Sequence, residues 1–544
     1  ARLLEMVPGT ISWAILILPI WLSFSYPWLV AYFVLSFDFY WLCRALWFGG
    51  AVIVAYRRIR RVVAVDWAAR LAALDGLVGR RAEIEARAAA ADGRQLGGSL
   101  GITATGGGGH VDRTERRRAR DELDDLTRVL ALPEPPPSPD DLIHLALIPT
   151  YTESLEKLRH TVRALAEADW PRERKIVAII TRETDETGIE NVGALRAEFG
   201  DAFAEFLHIL DPLEPGIVVG KSSAMAWGGR FLYRLLVRER GMDPRRIMVT
   251  DLDADYRVHP QYFTYLSWVH LTDANRETQL YQPIPYFHNN LWEAPFLQRL
   301  FAAVLTQLQM WRSVLPEKLQ SFGSYSTTLH LVHDVGYWAT DAIPEDSRFY
   351  WKSYFRYGDR FRAVPLFIPI YGDAVRARGY WRSMAEQYLQ ARRWAWGVTD
   401  IPYVIENALR HPEIPFWSRF WRVANLFGEH INWAIAPFVV MFGATVPLLI
   451  NPAFAETTLG QNLPLFASAM LSLALVSLLV LVVVEQRIVP PRPSHWGPMQ
   501  RIISYVQWLG LPIVGIFFSN LPALDAQTRL LTGRYLEYRV TEKA

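Results

Sequence analysis

Two aspartate pairs overlap in Asp251-Leu252-Asp253-Ala254-Asp255, directly after the apolar run Ile247 to Thr250. Carboxylates two residues apart at a strand end reach one divalent cation. Mg2+ and Mn2+ favour such oxygen ligands and share them with phosphates. A cation there neutralises a departing diphosphate. A lone Asp-x-Asp is more often a solvated acidic turn, and the apolar strand before this one argues against that. A second acidic pair, Glu345-Asp346, follows Pro344 and precedes Phe349-Tyr350-Trp351. A carboxylate beside an acceptor hydroxyl takes its proton as a group is transferred. Acids that favour a helix N-terminus are the plainer explanation, and both can hold together. In Gln390-Ala391-Arg392-Arg393-Trp394, an arginine offers a planar fork to diphosphate oxygens and an indole offers a face to a sugar ring. A Trp/Arg anchor at a membrane surface is the alternative. Lys221, in Gly220-Lys221-Ser222-Ser223, suits a phosphate or a base at a helix start. The upstream glycines lack the spacing of a phosphate-binding loop, which disfavours an ATPase.

The elements that must carry these residues alternate in period. Leu142 to Ile148, Lys175 to Ile180 and Ile247 to Thr250 are apolar runs of strand length. Helical patterns cover Leu155 to Ala168, Arg196 to Phe206 and Ser222 to Glu239. Strands alternating with helices predict a parallel α/β sheet, in which ligands sit at the carboxyl ends of strands. The first strand ends in Pro149-Thr150-Tyr151-Thr152-Glu153 and the third in the aspartates.

Apolar segments flank this block. Residues 10–25 and 28–56 are each long enough to cross a hydrocarbon core of about 30 Å. The first lacks a basic leader and a second span follows at once, so a signal peptide is disfavoured. Arg57, Arg58, Arg60 and Arg61 predict a cytoplasmic end for the second span. Residues 65–95 read as an amphipathic helix, 97–109 as a glycine-rich loop and 112–129 as a charged helix. The proline-rich stretch 132–139 reads as a stiff boundary linker. Interfacial helices are expected over 399–430 and spans over 431–450 and 464–484. Residues 502–519, interrupted by Pro512, leave a full span and a re-entrant hairpin open; the polar tail from Asp525 slightly favours the hairpin. The predicted layout is two spans (1–62), a connector (63–139), a catalytic domain (140–398), interfacial helices (399–430), membrane segments (431–521) and a tail (522–544). A hydrophobic share of 51% suits such a chain, and a net charge of +2 in 544 residues argues against a nucleic-acid binder. The single cysteine, Cys43, excludes an internal disulfide and a Cys/His metal cluster.

The signatures, their order and the flanking spans resemble the membrane-integrated family 2 glycosyltransferases, the group of cellulose, chitin and hyaluronan synthases. The similarity covers roughly residues 140–400. It implies a GT-A-type α/β domain with a mixed, mostly parallel sheet, joined to a helical membrane domain of four or five spans. It implies a nucleotide-sugar donor, UDP-linked by analogy, bound by Thr150, Tyr151, Glu153, Lys221, Asp253, Gln390 and Arg393. It places Mg2+ or Mn2+ on Asp253 and Asp255, the catalytic base at Asp346 beside Glu345, and the acceptor at Trp394, Phe322 and Ser324. One departure is that the second strand runs into Thr181-Arg182-Glu183, where the family carries an aspartate for the base; Glu183 is its expected substitute. The expected acceptor is a growing polysaccharide at the inner or plasma membrane, with the catalytic domain cytoplasmic. A single glycosylation of a lipid is the alternative. A transporter with a nucleotide-sensing domain is remote, because matching broken segments are missing.

Overall fold

The computed structural model describes residues 2–80, 125–212 and 220–536. The predicted glycine-rich loop 97–109, and most of the two helices predicted over 65–95 and 112–129, lie outside the described residues. The helix that does begin at Trp67 is started by Asp66, whose carboxylate accepts the Ala69 N–H at 2.9 Å.

Eight strands form one sheet: β1 (Ile143–Pro149), β2 (Lys175–Arg182), β3 (Glu205–Asp211), β4 (Ile247–Asp251), β5 (Arg257–Val258), β6 (Leu280–Tyr286), β7 (Tyr325–Thr328) and β8 (Ala363–Tyr371), in the order β3-β2-β1-β4-β7-β6-β8-β5. The pairs β2/β3, β1/β2, β1/β4 and β6/β8 are parallel, while β4/β7, β6/β7 and β5/β8 are antiparallel. The mixed, mostly parallel sheet with its helices is the α/β domain that the alternating strands and helices predict. β2 and β4 are buried along their whole length, as strands covered on both faces must be, which is why they read as unbroken apolar runs. Lys175, at the start of β2, is buried because its ammonium donates to the carbonyls of Leu165, Ala166 and Ala168 at 2.7–3.2 Å, closing the Leu155–Ala166 helix.

The helix expected over 196–206 is displaced. It runs Glu186–Phe199 because Asp185 caps it, accepting the Gly188 N–H at 2.9 Å, and the stretch from Glu205 is β3. The helix expected over 222–239 is α-helical at Lys221–Leu232 and π-helical at Tyr233–Glu239.

Among the described residues four helices are long and apolar enough to cross a membrane: Arg2–Ser25, Pro27–Val63, Thr458–Ile488 and Pro498–Thr532. The last runs through 502–519, for which the sequence leaves a full span and a re-entrant hairpin open. Pro512 opens a helical segment inside a continuous run, where its missing N–H costs little. Within the stretch read as a polar tail, Asp525 to Thr532 are helical and packed against the first helix. There Ser12 donates to Gln527 at 2.6 Å, and a Cβ on Gly9 would stand 2.8 Å from the Gln527 carbonyl. The boundary predicted at residue 430 falls inside one helix, Phe416–Phe442, which joins the expected interfacial segment to the expected span and ends near Gly443.

The Pro27–Val63 helix outlasts the bilayer. From Ala51 onward it buries Ala51, Val52, Ala55 and Ile59 against Ile284 and Tyr286 of β6 and Phe367 of β8, and Arg58 lies 5.0 Å over the Phe367 ring. The loop after Thr458–Ile488 also packs on the catalytic domain. Trp292 donates to Pro490 at 3.2 Å, Arg492 lies over Trp292 and Tyr505, and Arg299 lies over Trp496.

Candidate active site

Lys221 is the first residue of its helix, at the carboxyl end of the sheet, and its ammonium collects four carboxylates. It stands 3.1 Å from Asp251, 2.7 Å from Asp253, 3.7 Å from Glu345 and 3.9 Å from Asp346. Asp251 ends β4 with its side chain fully buried. Asp253 lies on the turn beyond β4, where its N–H donates to the Ser324 hydroxyl at 3.0 Å. Glu345 and Asp346 open the Glu345–Tyr357 helix, so the N-terminal acids predicted for structural reasons also face the cluster. Asp346 accepts the Gly323 N–H at 2.8 Å, and its own carbonyl accepts the Ser321 hydroxyl at 2.5 Å. Gly323 adopts φ +63°, a conformation glycine reaches at little cost.

One ammonium cannot balance four carboxylates withdrawn from water. Burial, then Glu345, Asp251 and Asp253, push Asp346 well above the usual carboxylate range, against the pull of Lys221. Burial lifts Asp251 to about 7 despite the same lysine. For Lys221 itself, burial favours the neutral amine, but Asp251, Asp253, Asp346 and Glu345 together outweigh it and hold the ammonium well above its ordinary value.

One cavity of about 1980 Å³ joins these groups to the other signatures. Its wall includes Thr150, Tyr151 and Glu153, then Lys221, Asp253 and Asp255, then Phe322, Glu345 and Asp346, and finally Gln390, Arg393 and Trp394. The Glu153 carboxylate is held by the Thr150 hydroxyl at 2.8 Å and the Tyr151 N–H at 2.7 Å, which fixes the loop after β1. Gln390, Arg393 and Trp394 sit on the Tyr380–Ala395 helix. Trp394 packs edge-on against Phe322 at 5.7 Å and parallel to Phe301 at 6.3 Å. On the same helix Arg392 pairs with Asp525 of the last membrane helix at 2.9 Å.

Two predicted residues stand outside the wall. Ser324 is buried behind it as the acceptor for Asp253, a positioning contact. Glu183 is exposed after β2, and Thr181 and Arg182 line the cavity instead, Arg182 lying 5.5 Å over the Tyr151 ring. Reading Thr181-Arg182-Glu183 for an acid passed over the arginine. Gly323 and Ser321, which seat Asp346, were not singled out for that role. Their signal is the glycine beside Asp253, whose Cβ position lies 3.5 Å from that carboxylate.

The donor set fits a hard divalent cation. Asp253 and Asp255 both face the cavity, the surrounding charge is in acidic excess, and only oxygen ligands are offered. Among the described residues no group of three or more His, Cys, Asp or Glu is arranged to hold a metal. Two protein carboxylates with the remaining positions left to substrate oxygens suit Mg2+ or Mn2+.

Residues 248–484 match the family model described as glycosyl transferase family group 2. This match covers less than half of the chain and, on a sheet carrying these carboxylates, supports a glycosyltransferase enzyme. No curated protein matches the chain significantly. Among solved structures, it is similar to the mannosyltransferase PcManGT from Pyrobaculum calidifontis in complex with GDP-Man and Mn2+, at 15% identity over 78% of this chain and 97% of that one, TM-score 0.41. It is also similar to S. aureus TarS 1-349 in complex with UDP-GlcNAc (12% identity, 64% and 91%, TM-score 0.32) and to GalNAc-T7 with UDP, GalNAc and Mn2+ (10% identity, 59% and 67%, TM-score 0.33).

Proposed function

We propose that this enzyme is a membrane-embedded inverting glycosyltransferase that moves a sugar from a nucleoside-diphosphate sugar to an acceptor entering from the membrane side. The observation that carries this reading is the single cavity. It holds Asp346 and Asp253 at one end and reaches Glu429 and Trp433 of the Phe416–Phe442 helix and Val514 of the last membrane helix at the other. Bound at Asp253 and Asp255, Mg2+ or Mn2+ would supply charge neutralisation for the diphosphate. Arg393 pairs with diphosphate oxygens, and Tyr151 with Arg182 flanks the base.

Asp346 takes the proton of the acceptor hydroxyl while that oxygen attacks the anomeric carbon from the face opposite the diphosphate. Burial and the neighbouring carboxylates raise its proton affinity, which strengthens it as a base. Gly323 and Ser321 hold it in place, and Trp394, braced by Phe322 and Phe301, keeps the acceptor ring in line, which lowers the barrier through orientation.

UDP is the first donor to test and GDP the second. A growing polysaccharide leaving through the membrane end of the cavity is the fuller form of this reading; a single sugar added to a lipid is its alternative. The arginines at 57–61 support a catalytic domain on the cytoplasmic side of a cell membrane. The test supplies the purified full chain with Mg2+ or Mn2+ and a panel of UDP- and GDP-sugars, reading nucleoside diphosphate release and product mass. Release with one donor that is lost in Asp346→Asn supports the reading. Equal release from the variant sinks the assignment of the base, and a ladder of masses against a single increment separates polymer from glycolipid.

A further inference from the structure

Where the cavity meets the membrane, cations replace carboxylates. Arg44 of the Pro27–Val63 helix and Lys318 both reach Glu429, at 3.1 and 3.2 Å. They flank the Trp311 ring, each 5.2 Å from its centre, and Arg44 also lies 5.3 Å over Trp41. Arg312, on the same cavity wall, makes no side-chain hydrogen bond among the described residues. Three cations therefore share one carboxylate, the reverse of the imbalance around Lys221. Partly buried cations in excess call for an anion.

The depth of the cluster narrows its nature. At about 1.5 Å per residue, Arg44 lies about 26 Å along the helix from Pro27, close to one hydrocarbon thickness of about 30 Å. From Ala51 onward the helix is against the sheet. The cluster thus sits at the level of lipid headgroups, on the catalytic side. The adjoining cavity wall is apolar, with Phe301, Val304, Leu305 and Leu308 on one helix and Leu511 and Val514 on another.

We propose that Arg44, Arg312 and Lys318 bind the phosphate headgroup of a lipid-linked acceptor, presenting it along the cavity toward Asp346. The inference rests on the transferase reading and names the acceptor class. The phosphate is bound and not transferred, so no bond to it is made or broken.

The test is binding of farnesyl phosphate, farnesol and inorganic phosphate to the full chain in detergent, read by tryptophan fluorescence, since Trp41 and Trp311 flank the site. Farnesyl phosphate is expected to bind at least tenfold more tightly than either other probe. Arg312→Gln and Lys318→Gln, each checked by a melting curve, are expected to lose about tenfold, and Lys318→Arg to retain affinity. Asp346→Asn is expected to keep this binding while losing transfer, so a failure of the transferase reading is seen separately. Equal binding of farnesol and farnesyl phosphate would overturn the anion site. Equal binding of inorganic and farnesyl phosphate would overturn the lipid source, and wild-type affinity in both glutamine variants would overturn the residue assignment.

Discussion

Replacing Lys221 with methionine should destabilise the catalytic domain strongly at pH 8 and much less at pH 5. The side chains are close in length, so the change removes charge more than volume. The lysine lies within 4 Å of Asp251, Asp253, Glu345 and Asp346. Removing one partner of a buried ion pair costs about 3–5 kcal/mol. At about 2–4 °C per kcal/mol for a domain of this size, the melting temperature should fall by about 10 °C at pH 8. The pH dependence follows from the carboxylates. Asp251 and Asp346 are raised in the folded state, so the fold binds protons that the unfolded chain, with carboxylates near about 4, has released. Their stabilising contribution is complete below the unfolded value and is lost as pH rises through the folded one, about 7 for Asp251. Without the ammonium the folded values rise further, so the loss steepens toward pH 8 and shrinks toward pH 5. Lys221 itself is raised; its contribution is complete below its unfolded value near about 10.4, so its own titration adds nothing between pH 5 and 8. The assay is thermal unfolding of the detergent-purified chain followed by tryptophan fluorescence at both pH values. An equal drop at pH 5 and pH 8, or none at pH 8, would refute the charge argument.

Asp346→Asn should lower product formation by about 10²–10⁴-fold, the usual worth of a general base, with nucleotide-sugar affinity retained in a binding assay. In the unmodified enzyme product formation should fall as pH drops through the raised Asp346 value, above the ordinary carboxylate range; a kcat/KM profile checks this, and the Asn variant should lack that limb. Chelation with EDTA should abolish product formation, with Mg2+ or Mn2+ restoring it; full activity in EDTA would remove the metal from Asp253 and Asp255. Gly372→Ala should cost about 1–3 kcal/mol by overpacking, because its Cβ would stand 2.8 Å from the buried Tyr256 ring, next to Asp255; a melting curve measures it. Trp394→Ala should raise the acceptor KM about tenfold with donor affinity unchanged, since the indole braces the acceptor side against Phe322.

The strands legible in the sequence were those whose burial is two-sided, β1, β2 and β4, because their apolar runs are unbroken. β3 was hidden because its burial is mixed along its length and because the capping role of Asp185 passes unnoticed in the acidic run Glu183 to Glu186. The antiparallel half of the sheet was equally hidden. β7 is Tyr-Ser-Thr-Thr, whose hydroxyls find partners only in the fold, as Ser326 does with Thr250 and Tyr262 at 2.8 and 2.9 Å. At the site, Asp253, Asp255, Glu345, Asp346, Gln390, Arg393 and Trp394 could be named from their spacing, and they meet on one cavity. That Lys221 would sit among four carboxylates could not be read from it, because 123 residues of chain lie between Lys221 and Glu345 and only the sheet order brings them together. Through 498–532 the sequence left a span and a hairpin open at Pro512, because proline breaks a helix only where its N–H is needed and that need is not legible in sequence.

The contacts that bolt the membrane helices to the catalytic domain have a mechanical consequence. The Pro27–Val63 helix is seated on β6 and β8, Arg492 and Arg299 clamp the loop after Thr458–Ile488, and Arg392 holds the last helix through Asp525. These three sets of contacts tie the membrane helices to the catalytic domain. A substitution that loosened any one of these contacts would change the spacing between Asp346 and the membrane end of the cavity.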